Sequence, residues 1–99
     1  MDLQKIGEVH ANAKENLEGA NLEGANYEDK SLSFYNLESA NLNGANLRGA
    51  DLSYALLYKA SLVGADCTGA NFKEAELLEA DFTNAILTNA ILPDGSIHA

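Results

Sequence analysis

The sequence predicts an all-β solenoid, a chain wound in repeated coils around an apolar interior. Two observations support this prediction. Alanine recurs in steps of five residues through most of the chain, and a large apolar residue stands two positions after nearly every alanine. A period of five fits neither the 3.6-residue repeat of an α-helix nor the two-residue alternation of a continuous strand. A fixed short period is instead typical of solenoid proteins.

Each five-residue unit has two parts. The alanine and the large residue face the same side, as they would in a strand, and the residue between them faces outward. The other two residues turn a corner, where glycine is favoured if the backbone needs a positive φ. Each buried leucine or phenylalanine contributes roughly 1.5–3 kcal/mol, so the repeats supply a substantial core. The large inward positions, which we call centres, number sixteen: Leu17, Leu22, Tyr27, Leu32, Leu37, Leu42, Leu47, Leu52, Leu57, Leu62, Cys67, Phe72, Leu77, Phe82, Leu87 and Leu92.

The spacing leaves open whether three repeats close a triangular coil or four close a square one. The runs 20–26 (ANLEGAN) and 40–52 (ANLNGANLRGADL) resemble the pentapeptide-repeat family, which is abundant in cyanobacteria. This resemblance implies a right-handed quadrilateral β-helix with four repeats per coil, and therefore about four coils. On this interpretation residues 15–94 form the β-helix and residues 95–99 form a C-terminal tail.

Residues 1–14 break the register of five. Leu3, Ile6 and Val9 follow helical spacing, and Asp2 can cap the start of a helix. Because the end of a solenoid otherwise exposes its apolar interior, we expect residues 1–14 to form a short helical cap over the N-terminal end.

Two further departures from the five-residue pattern lead to structural predictions. Lys30 and Tyr35 replace inward alanines, so we expect a local bulge or a flared coil near residues 29–35, with Lys30 reaching solvent. Ile86 and Ile91 occupy outward positions, and we expect them to lie under the tail against Ile97. The alternative is that they form a surface on which a second copy stacks.

Composition excludes several classes of function. The net charge of −9, from 15 acidic and 6 basic residues, argues against direct binding to nucleic acid or to an anionic membrane. A single cysteine excludes an internal disulfide. No apolar stretch approaches the ~20 residues of a membrane span, and the N-terminus lacks the apolar run of a signal peptide. We therefore expect a cytoplasmic protein.

Candidates for chemistry are few. His10 and His98 stand at opposite ends of the chain, so they cannot share a site. Cys67 occupies an inward centre and is expected to be a small buried apolar residue. The sequence therefore predicts a protein that is not an enzyme, with no cofactor and no metal site.

Stacking the sequence by twenty residues predicts a surface for a partner. It places apolar side chains among acids on one face, as in binding hot spots. The alternative is a scatter of surface apolar residues without a binding role. Phe34 and Tyr54 are expected to stack on a neighbouring corner. The candidate protein-binding surface consists of Glu18, Glu38, Leu56, Tyr58, Glu76, Leu78 and Glu79.

These observations predict a non-enzymatic structural or protein-binding solenoid, whose protein partner the sequence does not identify. The family resemblance implies a second possibility, a DNA mimic that inhibits or protects DNA gyrase. Four coils would span about 19 Å and carry a charge of −9, against roughly 11 charges on that length of B-DNA. The known mimics of the family, however, are dimers of longer solenoids.

Overall fold

The computed structural model of the protein describes residues 14–99. The chain winds so that every parallel bridge joins one residue to the residue twenty positions later, beginning with Asn16 to Asn36 and ending with Asn71 to Ile91. A coil therefore takes twenty residues, or four repeats of five. This geometry selects the square coil over the triangular one.

The described residues contain no helix and no extended strand. Each side of the square contributes one bridge residue, because only a few residues separate one corner from the next. The parallel bridges lie at every fifth position: Asn16, Asn21, Asn26, Ser31, Asn36, Asn41, Asn46, Asp51, Leu56, Ser61, Asp66, Asn71, Glu76, Asp81, Ile86 and Ile91.

Backbone hydrogen bonds join each coil to the next in a fixed pattern. The N–H of Leu42 donates to the carbonyl of Ser61 at 2.7 Å, and the N–H of Gly44 donates to Val63 at 2.9 Å. In the reverse direction, the N–H of Asn41 donates to Ala20 at 2.9 Å. Neighbouring coils thus satisfy the polar groups that a single coil leaves unpaired.

The four sides of the coil stack into four faces. Face A holds residues 15–19, 35–39, 55–59 and 75–79. Faces B, C and D follow in order, each five residues further along the chain.

The centres and alanines fill the interior. Centres from Leu32 to Phe72 are fully buried, whereas those nearer the two ends are half-buried. Phe72 and Phe82 reach across the interior from opposite faces, with their rings edge to face and 5.7 Å apart. The core is therefore a column along the axis of the coils, and its side chains are less completely buried toward both ends.

Every corner from Gly19 to Asn89 has a positive φ, between 59° and 70°. The last corner differs, because the positive φ moves from Asp94 to Gly95, whose N–H donates to the carbonyl of Leu92 at 2.8 Å. This shift of one residue ends the repeat. Nine of the corners carry a side chain: Asp29, Phe34, Ser39, Tyr54, Lys59, Glu74, Glu79, Asn84 and Asn89.

The bulge expected near residues 29–35 is not found. Ser31 pairs with Asp51, and the N–H of Leu32 donates to Asp51 at 2.7 Å, as in regular repeats. Lys30 is exposed as expected, and Tyr35 is half-buried. Because Lys30 belongs to the first described coil, its side chain can leave the interior without displacing the backbone.

The C-terminal tail folds back along the edge of face D. Ile97 forms an antiparallel bridge with Ile91, and the N–H of His98 donates to Ala90 at 2.8 Å. Ile91 is half-buried, as expected, but Ile86 remains 50% exposed. The tail therefore covers one edge of the last coil. The predicted helical cap, residues 1–14, lies outside the described residues except for Lys14.

Candidate protein-binding face

The outward polar residues hold the corners of their own repeats. The side-chain oxygen of Asn41 accepts the N–H of Asn43 at 2.9 Å, and Asp51 accepts the N–H of Ser53 at 2.9 Å. Such bonds to the residue two positions later are typical of Asn and Asp turns. A few also bond from coil to coil, as Asn36 does to Asn16 at 3.2 Å. The recurring Asn and Asp residues are therefore structural.

Some of these turns gain a hydroxyl donor. The Thr68 hydroxyl donates to Asp66 at 2.6 Å, and with the Thr68 amide and the Arg48 guanidinium it holds the pKa of Asp66 below its usual 3.8. Partial desolvation opposes this shift. The hydroxyl of Thr83 lowers the pKa of Asp81 in the same way. These carboxylates stay ionised near neutral pH and keep accepting the bonds that fix their corners.

Face A brings together all the residues of the predicted surface. Bridges from Asn36 to Leu56 and from Leu56 to Glu76 stack its rows in register. Glu18 lies toward the N-terminal end of this face, and Leu78 lies toward the C-terminal end. The column arrangement expected from the period of twenty is therefore present.

One residue of the predicted surface is not available to a partner. Leu56 was expected to be exposed on face A, but its side chain is only 3% exposed. Its neighbour Asn36 is likewise buried, at 2%. An outward position in the repeat therefore does not by itself mean exposure.

The exposed part of face A lies at its C-terminal end. Leu78 is 59% exposed, and its N–H donates to the carboxylate of Glu76 at 3.2 Å. Glu79 is exposed at the adjoining corner. Tyr58 is half-buried, and the ammonium of Lys59 lies over its ring at 5.2 Å from the centroid. These side chains form an apolar patch bordered by carboxylates and one lysine.

Lys59 was absent from the predicted surface. It directly follows Tyr58 and stands at the corner, where the sequence pattern favours glycine. A lysine that replaces glycine beside an outward tyrosine was the signal that could have identified it.

An aromatic pair stands at the corner where face D meets face A. The rings of Phe34 and Tyr54 are parallel to within 2°, with centroids 4.8 Å apart. This confirms the expected stacking. Both rings remain nearly half exposed, so the pair extends the apolar border of face A.

Apart from the carboxylates, the described residues contain few side chains that could be reactive or bind a metal ion. Burial, with a smaller contribution from the charge of Asp66, raises the pKa of the Cys67 thiol to about 12. Residues 14–99 contain no group of three or more potential ligands that could hold a metal ion. In the same residues we find no helix of the length and apolar character needed to cross a membrane.

The square coils, the alanine-and-leucine interior and the smooth outer faces define a β-helical repeat protein. A family model for pentapeptide repeats matches eight copies, over residues 16–53 and 50–89. The chain therefore belongs to the pentapeptide-repeat family, and its fold is the right-handed quadrilateral β-helix of that family.

One solved structure supports this assignment, and two others are similar in sequence. The pentapeptide-repeat protein alr5209 from Nostoc Pcc 7120 is 38% identical, with a TM-score of 0.75 over 89% of this chain and 76% of that one. HetL from Nostoc sp. strain PCC 7120, described as involved in heterocyst differentiation regulation, is 31% identical over 84% of this chain and 53% of its own, with a TM-score of 0.31.

A third cyanobacterial structure, Rfr23 from Cyanothece 51142, is 30% identical over 78% of this chain and 63% of that one, with a TM-score of 0.37. A comparison with curated protein sequences found no match. The family model and the similarity to alr5209 therefore establish the family and the fold, and the function has to be argued from the surface.

Proposed function

We propose that this protein is a non-enzymatic scaffold of about four coils that binds another protein through the exposed part of face A. The observation that carries the proposal is Leu78, a large apolar side chain 59% exposed on an otherwise polar wall. Exposed apolar residues within a polar rim are typical of protein-binding sites.

The surroundings of Leu78 indicate the chemistry of the partner. Carboxylates of Glu76 and Glu79 flank it, and Tyr58 with Lys59 lies one coil away. The complementary surface would present an apolar side chain surrounded mainly by basic residues, since opposite charges favour encounter and orientation. A rigid β-helix would hold this contact in place with little loss of entropy on binding.

The first test removes the apolar contacts and leaves the fold in place. We expect the double substitution Tyr58→Ser and Leu78→Ser to abolish recovery of a protein partner in quantitative pull-downs from the source cell. The fold should remain, because Leu78 is largely exposed and Tyr58 is only half-buried. Thermal unfolding followed by circular dichroism checks this.

The matched control is Val63→Ser, which changes an apolar residue at the same position of the repeat on face B. It should leave partner recovery unchanged. Equal recovery with wild type, the control and the double variant would refute the assignment of face A.

We also propose that the protein is cytoplasmic, and cell fractionation is the test of this location.

We also propose that the C-terminal end can associate with a second copy. Among residues 14–99, no backbone acceptor is found for the amides of Leu77, Phe82 and Leu87. Corresponding amides in earlier coils donate to carbonyls of the next coil, so a backbone edge of another copy could supply the missing acceptors. Exposed Ile86 and Ile97 add apolar area to this end.

A second candidate function is mimicry of DNA toward gyrase. The observation that favours it is charge, because residues 15–94 carry 13 acids against 4 bases. This density is close to that of B-DNA over about 19 Å. A single copy would cover only about half of the ~34 Å helical turn, so the mimic would depend on end-to-end association.

A further inference from the structure

One asparagine in the chain directly precedes a glycine. It is Asn43, followed by Gly44, whereas every other asparagine precedes a residue with a side chain. In peptides, the backbone nitrogen of the next residue can attack an asparagine side chain and expel ammonia. Glycine favours this reaction because it leaves the attacking nitrogen unhindered and the backbone free to rotate. This dipeptide is therefore the position of the chain most susceptible to deamidation.

Both reacting groups of the dipeptide are bonded to the next coil. The N–H of Gly44 donates to the carbonyl of Val63 at 2.9 Å. The side-chain oxygen of Asn43 accepts the N–H of Val63 at 3.0 Å and also the hydroxyl of Ser61. The Gly44 nitrogen must lose its proton before it can attack, and a hydrogen-bonded amide loses its proton to base only when its bond opens. The reaction therefore requires the two coils to separate locally.

Asn43 differs in this respect from the asparagine two positions before it. The side-chain oxygen of Asn41 accepts the N–H of Asn43 at 2.9 Å and so holds the corner of its own repeat. The oxygen of Asn43 instead reaches residues 18 and 20 positions later in the chain. Its bonds depend on the contact between two coils, so they are lost when those coils separate.

We propose that Asn43 is a site of spontaneous deamidation whose rate is set by local opening of its contact with Ser61 and Val63. On opening, hydroxide removes the proton of the Gly44 nitrogen, and this nitrogen forms a bond to Cγ of Asn43. The bond from Cγ to the side-chain nitrogen breaks, and that nitrogen takes up a proton from water and leaves as ammonia. Water then hydrolyses the resulting succinimide to aspartate or isoaspartate.

The isoaspartate product would not fit the coil in which it forms. Isoaspartate routes the backbone through the side chain and adds one backbone atom before Gly44, whereas bridges hold each coil in register with the residue twenty positions later. A transient separation of two coils would thus become a permanent defect. The inference goes beyond the proposed function and is independent of it, because it concerns contacts within one chain.

Incubation of the full chain at mildly alkaline pH, followed by peptide mass spectrometry, measures deamidation at Asn43. The folded protein should deamidate there about tenfold more slowly than the same chain in denaturant, or slower still, because the reaction waits for opening. Ser61→Ala should accelerate deamidation of the folded chain about fivefold, the effect of losing one hydrogen bond. Hydrogen exchange of the Gly44 amide, measured by NMR, should accelerate by the same factor.

Two matched variants control for other effects of the substitution. Ser33→Ala removes a hydroxyl that donates from one coil to the next at the carbonyl of Ser53, 3.0 Å away on face D. It should leave the rate at Asn43 unchanged. Ser61→Thr keeps the hydroxyl and should keep the slow rate. Circular dichroism verifies folding, and if Ser61→Ala unfolds, the ratio of the folded to the denatured rate in wild type decides the question.

Three results would overturn the inference. The first is equal deamidation in the folded and denatured chains. The second is slower deamidation in Ser61→Ala, which would mean that the hydroxyl activates the Asn43 carbonyl toward attack. The third is an equal acceleration in Ser33→Ala, which would assign the effect to a general loss of stability.

Discussion

At the scale of single residues, the corners carry the main conformational cost of this fold. A non-glycine residue in the left-handed region costs about 1–2 kcal/mol, and nine corners accept that cost. Phe34 and Tyr54 are unusual occupants because both are bulky. Their parallel stacking offsets part of the cost, since an aromatic pair contributes about 0.5–1.5 kcal/mol beyond burial.

Gly64 allows the backbone contribution of one corner to the free energy of unfolding to be measured without side-chain contacts. Its φ is +70°, and an added Cβ would meet no atom within 4 Å. We expect Gly64→Ala to lower the free energy of unfolding by about 1 kcal/mol through backbone strain alone. Denaturant unfolding measures the change. Lys73→Ala, at an exposed position without a positive φ, should change stability much less, and equal losses in both variants would contradict this explanation.

At the scale of the repeat, hydrogen bonds between side chains and the backbone hold the turns, because each side of the coil is too short to form an extended strand. With only one bridge residue per side, most corners also rely on a side-chain oxygen that accepts the N–H of the residue just before the corner, as Asn41 does for Asn43 and Asp66 for Thr68. Asp66 shows the strongest version, because it accepts both the amide and the hydroxyl of Thr68 and also pairs with Arg48 at 3.1 Å. In this repeat, the geometry of the corner therefore depends on whether the Asp66 carboxylate is ionised.

Removing the hydroxyl should therefore change the titration of Asp66. We expect Thr68→Val to raise the pKa of Asp66 toward 3.8, measured by NMR titration of its carboxyl carbon, because the hydroxyl bond is the largest cause of the lowered pKa. A depressed pKa stabilises the folded state above the unfolded pKa, and this stabilisation is lost as pH falls through the folded value. The stability difference between wild type and variant should therefore disappear in strong acid.

Thr88→Val provides the control. Thr88 occupies the same position of the repeat one coil later on face C, where Ile86 replaces the carboxylate. Its substitution should leave the titration of Asp66 unchanged. An unchanged pKa of Asp66 in Thr68→Val would show that the hydroxyl does not control this carboxylate.

At the scale of the whole molecule, the edge of the last described coil is only partly covered. Within residues 14–99, the tail pairs along the edge of face D, and no backbone acceptor is found for the amides of Leu77, Phe82 and Leu87. An unpaired sheet edge is a template for another chain. Association matters for function because an end-to-end assembly would match a longer stretch of the surface that DNA presents to an enzyme.

Sedimentation velocity and gyrase supercoiling assays on the same samples connect association with function. We expect concentration-dependent association that Ile86→Asp with Ile97→Asp reduces, because added charge opposes contact between copies. Ser39→Asp, at an exposed corner away from this end, should leave association unchanged. A monomer at all concentrations would refute end-to-end contact.

The scaffold proposal expects no inhibition of supercoiling at tens of micromolar protein, the weak end of meaningful affinities. Inhibition that follows the fraction of associated protein would instead make DNA mimicry the leading function.

The sequence by itself determined the repeat, the centres of the core and the residues that share a column. A period of five is local and recurs many times, so each repeat confirms the register of the others. For this reason Phe34 could be paired with Tyr54, and Leu78 placed on the same face as Glu18, from spacing and the four-repeat coil implied by the family.

Only the tertiary structure decided how exposed each outward residue is. Leu56 and Asn36 have the outward register of Asn41, yet they are buried while Asn41 is half-buried. The regular path through Lys30 likewise depends on bonds to a coil twenty residues away. The physical reason is that the repeat fixes the direction of a side chain, whereas its exposure depends on how side chains distant in sequence pack around it.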